Sequence, residues 1–292
     1  MNRFPFWKLE GTGNDFILFD GMNESTRTQL LTLLTTERIV ALCDRHFGVG
    51  ADGIIVLTAG TLGKFRMNYW NADGSISQMC GNGLRCTAHF ARLRGYHTET
   101  QVYVDLPSGE QCVEIETKDE NIYCVAMPTA KFDRSSIPMT GIGDSRTTIA
   151  IGDRSFEGIG VNVGNPHFIV LTGVTSRTLA EKFGSIIETD PLFPEKINVE
   201  FAEVLNRTEV NLWVWERGCG ITLACGSGAT ATAAALVKVG KLDADKPVSI
   251  HLPGGTLYVT VASNGETISM YGPAREVFAG EVDFDELKVG GS

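Results

Sequence analysis

At 292 residues the chain is long enough for two domains with substantial cores, and 43% hydrophobic with 21% charged residues is ordinary for a soluble globular protein. A formal net charge of −10 without any basic stripe argues against nucleic acid and anionic membrane as partners. Seven cysteines, no apolar leader ahead of Lys8 and no apolar run of bilayer length point to reduced thiols in a cytoplasmic setting.

Residues 4–9 and 16–19 read as strands around the turn Gly11-Thr12-Gly13-Asn14-Asp15. A helix capped by Ser25 or Thr26 is expected to run to about Cys43, with Leu30, Leu31, Leu34, Ile39, Val40 and Leu42 on its apolar face. After a glycine-rich loop at 48–53 come strands at 54–57 and 65–70, then the turn Asn71-Ala72-Asp73-Gly74. An apolar helix headed by Cys80 ends near Gly95, and strands at 102–106, 111–117 and 121–126 follow. Between 127 and 160 the pattern loosens around Pro128, Pro138, Gly141, Gly143 and Gly152, which marks the crossing into a second unit. That unit repeats the order with a strand at 162–171, a helix at 177–187, strands at 198–204 and 209–215, a turn, and a helix headed by Cys225. Strands at 248–252, 256–261 and 267–270 close it, and the strand-like tail at 276–284 is expected to return to the first domain.

The two halves are copies. Asn71 stands nine residues before Cys80, and Glu216 nine before Cys225; Gly53 and Asn198 each stand eighteen residues further back. Gly13-Asn14 matches Gly164-Asn165, and Leu106-Pro107-Ser108-Gly109 matches Leu252-Pro253-Gly254-Gly255. Landmarks in one order at equal spacing mean a duplicated unit too long for a solenoid repeat. The expected class is α+β: two pseudo-symmetric domains, each a curved, barrel-like mixed β-sheet around a central helix. The first domain takes 1–126 with 272–292 and the second 127–271, with the active site in the cleft between them.

In Cys80-Gly81-Asn82-Gly83 and Cys225-Gly226-Ser227-Gly228 a cysteine precedes a glycine-rich helix start. Unpaired N–H groups and the helix dipole there favour thiolate, and glycine lets an anion approach the backbone. Two such thiols on opposite sides of a pocket suit inversion at carbon: one removes a proton and the other delivers one. His167 and Glu216 are the neighbours placed to tune them. Cys80, Cys86 and His89 fall close in sequence, but helical spacing spreads them and no C-x-x-C pair accompanies them, so no metal is expected.

Gly13-Asn14-Asp15-Phe16, Gly50-Ala51-Asp52-Gly53, Met79-Cys80-Gly81-Asn82-Gly83, Gly164-Asn165-Pro166-His167, Asn198-Val199-Glu200-Phe201, Trp215-Glu216-Arg217-Gly218 and Ala224-Cys225-Gly226-Ser227-Gly228 together resemble the diaminopimelate epimerase family, in order and over nearly the whole chain. The resemblance implies a homodimeric enzyme, independent of PLP, that interconverts LL- and meso-diaminopimelate on the route to lysine and peptidoglycan. It implies Cys80 and Cys225 as the acid–base pair, and Gly81, Asn82, Gly226 and Ser227 as the holders of the reacting carboxylate. Asn14, Asn71, Asn165, Asn198, Glu216 and Arg217 would hold the amine and the distal end, with Arg217 as the carboxylate fork. The chain departs from the family at Gly53, where many members carry glutamine, at Ser227 in place of a commoner threonine, and at Phe278 in place of a tyrosine at the dimer contact. Proline and hydroxyproline racemases are the rival reading, but they typically carry histidine at the position of Asn82 and have less need of Glu216 and Arg217. A binding protein of the same fold would have no need of both cysteines.

Overall fold

The computed structural model describes residues 2–76, 80–116 and 121–288. Its chain falls into two units, Met1–Val125 with Gly272–Ser292, and Ala126–Tyr271. In the first, β1(Arg3–Gly11) lies antiparallel to both β2(Asn14–Asp20) and β17(Arg275–Asp283). A crossover through α1(Glu24–Leu33) and α2(Thr36–Cys43) sets β3(Gly53–Ala59) parallel to β2, with Phe16 opposite Gly53. The strand β4(Phe65–Asn71) returns antiparallel, and α3(Gly81–Leu93) leads to β5(Gln101–Leu106), parallel to β4. Hairpins through β6(Gly109–Glu116) and β7(Ile122–Met127) complete the series.

The second unit repeats this plan. A hairpin of β8(Arg146–Ile151) and β9(Arg154–Asn162) pairs with β10(Pro166–Thr172), and α4(Arg177–Glu188) carries the chain to the parallel strand β11(Asn198–Asn206), with His167 opposite Asn198. Then come β12(Glu209–Glu216), the short β13(Gly220–Ile221), α5(Gly226–Lys238), and β14(Val248–Leu252), β15(Gly255–Val261) and β16(Ile268–Pro273). The class is thus α+β with mixed sheets. Position 16 against 53 corresponds to position 167 against 198, so the duplication extends to strand register.

The central helices explain their own compositions. Every residue from Asn82 to Ala91 in α3 and from Gly228 to Leu236 in α5 is buried, so neither helix has a polar face. In α5 the chain meets this with alanine at 229, 231 and 233–235, letting β9, β10, β11 and β15 approach closely. Among the described residues no helix is long and apolar enough to cross a membrane.

Local chemistry moved several boundaries. The helix expected from Ser25 to Cys43 is two: the Asn23 side chain accepts from the Ser25 and Thr26 N–H groups, and Thr35 caps the second helix through the Arg38 N–H. The strand expected at 162–171 is broken by the turn at 163–165, where Gly164 takes φ +106°. The loosened stretch 127–160 holds the β8–β9 hairpin, turned at Gly152 with φ +62° and anchored by buried Ile149, Phe156 and Ile159. Thr117, placed in a strand by the sequence pattern, lies outside the described residues.

Asp105, on β5, closes the loop after β3. Its carboxylate accepts the N–H groups of Thr61 at 2.6 Å, Leu62 at 3.0 Å and Gly63. Burial alone would raise its pKa, but these donors hold it at about 2. Because the folded value lies below the unfolded one, the stabilisation is complete above the ordinary carboxylate range and is lost as pH falls toward 2. Asp105→Ala should destabilise the protein by about 1–3 kcal/mol at pH 7, read by denaturant titration, with the difference from wild type shrinking toward pH 2.

Candidate active site

Both cysteines are helix N-caps. Cys80 adopts φ −147°, ψ 107° ahead of α3, and Cys225 φ −129°, ψ 106° ahead of α5. Each Sγ accepts the N–H of the third residue on, Gly83 or Gly228, at 3.3 Å. Space is tighter at the second: a Cβ on Gly83 would lie 3.4 Å from Cys80 Sγ, an ordinary contact, and one on Gly228 3.2 Å from Cys225 Sγ. The first-turn N–H groups of Gly81, Asn82, Gly226 and Ser227 have no carbonyl to pair with inside their helices, which makes each helix start an anion site.

Cys80 is half-buried. Its thiol donates to Asn14 Oδ1 at 3.9 Å, and Asn82 Nδ2 donates to the same oxygen at 3.3 Å. Asn14 Nδ2 in turn donates to Asp52 Oδ2 at 2.7 Å. Burial, followed by the charge of Asp15, pushes the Asp52 carboxyl up. Asp15 is itself subject to burial, yet Arg45 and Lys8, the latter 2.7 Å away, hold it down to about 2. Asn71, at the end of β4, is tied to its own turn through Ser75 Oγ at 2.9 Å.

Cys225 is more enclosed, only 6% exposed. Its Sγ lies 3.4 Å from Ser227 Oγ, which accepts from Asn165 Nδ2 at 3.3 Å. Behind Asn165, His167 Nε2 is 2.9 Å from Asn165 Oδ1, and His167 Nδ1 is 2.6 Å from Glu200 Oε1. Burial, then Glu216 and Glu200, push the Cys225 thiol well up, against the pull of Ser227 and the Gly228 N–H. The helix start alone therefore does not set this thiol, because burial and the two carboxyls act against it. Glu216, also raised by burial, accepts from Thr222 Oγ1 at 2.5 Å.

The remaining residues serve structure as well. Asn198 is buried and spans two backbone groups: its Nδ2 donates to Pro166 O at 2.7 Å and its Oδ1 accepts the Arg217 N–H at 2.9 Å. Arg217 is exposed and spends one guanidinium N–H on Glu195 O at 3.2 Å. Glu188, which the sequence reading did not single out, accepts Trp215 Nε1 at 2.7 Å and the Gly218 N–H at 3.0 Å, and so braces the Glu216–Arg217 turn from both sides. Gly184 permits this, since a Cβ there would lie 2.5 Å from the Trp215 ring.

Cys86 and His89 belong to the core of α3. Burial pushes the Cys86 thiol up, and burial, then Arg92, pull His89 down to about 4, with its Nδ1 2.8 Å from Tyr123 Oη. Among the described residues no three His, Cys, Asp or Glu side chains gather as metal ligands would.

A family model described as Diaminopimelate epimerase matches residues 6–132 and 159–277. The Diaminopimelate epimerase of Desulforudis audaxviator is 38% identical over 282 residues, covering 94% of this chain and 98% of that protein. That of Bacillus subtilis is 35% identical over 285 residues, covering 96% and 99%. Among solved structures, a hydroxyproline epimerase from Agrobacterium vitis aligns with a TM-score of 0.69 at 14% identity, covering 96% of this chain and 92% of its own. A predicted epimerase from Pseudomonas aeruginosa aligns with a TM-score of 0.64 at 17% identity, covering 96% and 99%. At such identities the likeness is one of fold. The full-length relatives carry the assignment, and the chain belongs to the diaminopimelate epimerase family.

Proposed function

We propose that the chain is a cofactor-independent epimerase that interconverts LL- and meso-diaminopimelate, with Cys80 and Cys225 as its two acid–base thiols. The observation that carries this reading is the matched pair of cysteine N-caps, one per unit, each bonded to a glycine N–H at 3.3 Å. In either direction one cysteine, as thiolate, takes the α-hydrogen and the other, as thiol, returns a hydrogen to the opposite face. The first-turn N–H groups of Gly81, Asn82, Gly226 and Ser227 hold the α-carboxylate and stabilise the charge that grows on it. The substrate ammonium supplies the positive charge that a buried Cys225 thiolate needs. Arg217 takes the distal carboxylate, joined by the second Nδ2 hydrogen of Asn198, with Glu216, Asn71 and Asn165 around the amine.

The reaction places the enzyme on the route to lysine and peptidoglycan precursors, in the cytoplasm. We also propose a homodimer through β17: residues 275–281 are all exposed, including Val277 at 52% and Phe278 at 46%. The test of the function is hydrogen exchange at the α-carbon in heavy water, with LL-diaminopimelate and L-proline in parallel. Exchange with inversion is expected for diaminopimelate alone. Exchange confined to proline would overturn the substrate assignment.

A further inference from the structure

The buried acid behind Cys225 has no counterpart behind Cys80. Strand register equates His167 with Phe16 and Glu200 with Ile55. The helices agree: a Cβ on Gly228 would meet Glu200 Oε1 at 2.8 Å, and one on Gly83 would meet Ile55 Cδ1 at 3.3 Å. An otherwise duplicated site therefore has an apolar pair under one cysteine and a hydrogen-bonded His–Glu pair under the other, both members of which are fully buried.

We propose that Glu200 is a positioning residue for the Cys225 half-site: by engaging His167 Nδ1 it fixes the Asn165 amide so that the Ser227 hydroxyl proton is directed at Cys225 Sγ. The inference rests on Cys225 being an acid–base thiol. The hydrogen-bond logic runs in one direction. Asn165 Oδ1 faces His167 Nε2, so that nitrogen carries a proton, and Nδ1 then shares the proton of the Glu200 carboxyl. That Nε2–H donates to Asn165 Oδ1, so Asn165 Nδ2 must face Ser227. With its oxygen accepting from Asn165, Ser227 has its proton left for the sulfur 3.4 Å away.

The other half-site shows the opposite setting. An acceptor, Asp52, stands behind Asn14, draws Nδ2 backward and leaves Oδ1 facing Asn82 and Cys80. The group behind each asparagine thus decides which end of the amide faces the helix start. Burial raises the Glu200 carboxyl, and its Oε2 has no hydrogen-bond partner among the described residues, both of which favour the neutral acid donating to Nδ1. The other titratable groups in reach are Glu216 on β12 and Cys225 at the head of α5, while β9 sets apolar Val161 opposite His167. As charges, Glu216 and Glu200 both disfavour a Cys225 thiolate; with its proton kept, Glu200 adds no such charge, and the chain from it to Ser227 favours the thiolate.

The test compares Glu200→Met, Glu200→Gln and the double variant His167→Phe/Glu200→Ile, which copies the Phe16–Ile55 pair. The readouts are iodoacetamide alkylation of Cys225 against pH, by peptide mapping, and kcat/KM for diaminopimelate. Loss of one hydrogen bond to a charged sulfur should move half-maximal alkylation of Cys225 up by about one pH unit and lower kcat/KM about 10- to 100-fold in the Met and double variants. Alkylation of Cys80 should stay as in wild type. Glutamine keeps an N–H donor for Nδ1 and should recover most of the loss. Unshifted Cys225 alkylation in Glu200→Met, or a glutamine variant as impaired as methionine, overturns the inference; if methionine does not fold, the double variant decides by the same criterion. Alkylation needs no substrate, so a protein inert toward diaminopimelate but with Glu200-dependent Cys225 alkylation would overturn the function and leave this inference standing.

Discussion

Replacing either Cys80 or Cys225 by alanine is expected to cut kcat/KM for LL-diaminopimelate at least about 1,000-fold, because each thiol serves a face of the carbon that the other does not reach. The loss should come with little unfolding. Alanine removes the sulfur that accepts the Gly83 or Gly228 N–H, an N-cap loss of about 0.5–2 kcal/mol, small enough to follow by thermal melting. Serine keeps the cap but is a far weaker acid, so it should restore stability and only a trace of turnover. Near-wild-type epimerisation by either alanine variant would refute the two-thiol mechanism.

Arg217→Ala is the second large effect. Among the described residues its guanidinium makes one hydrogen bond, to Glu195 O, while its backbone is fixed by Asn198 and the neighbouring Gly218 N–H by Glu188. The fork is thus placed by the main chain and keeps donors for a distal carboxylate. Truncation should cost about 2–5 kcal/mol in kcat/KM, with kcat falling as well as KM rising, since remote binding orients the reacting carbon. Lysine should rescue only part, lacking the bidentate fork. Kinetics within a few-fold of wild type would mean that the distal end is read elsewhere, and the diaminopimelate assignment would fall.

Much of this was legible because the duplicated chain checks itself. The spacings from Gly53 to Cys80 and from Asn198 to Cys225 locate both helix starts, and the structure finds both cysteines as N-caps. What the sequence concealed was polar chemistry inside strands and turns. Alternation along β11 puts Asn198, Glu200 and Ala202 on one face; a glutamate there reads as solvent-facing, yet that face packs on α5 and the Val199–Phe201 face on α4. The unusual feature available in advance was a histidine in the paired parallel strand. No pattern in the sequence reveals that both ends of the Asn198 amide also meet backbone. The β8–β9 hairpin was lost among Pro138, Gly141 and Gly143, which announce a linker just ahead of it.

The place of β17 bears on the order in which the protein can be made. Strand β1 pairs with β17 along Arg3–Glu10, and the ends meet where Asn2 Nδ2 donates to Asp285 Oδ1 at 2.8 Å and the Phe284 N–H to Asn2 O at 3.0 Å. In chain order the β17 residues follow the whole of Ala126–Tyr271. The unit that starts first therefore waits, one side of β1 uncovered, while the unit formed by Ala126–Tyr271 already has every strand it needs. A chain made from its N-terminus can therefore complete the Cys225 unit before β17 exists to cover β1 of the Cys80 unit.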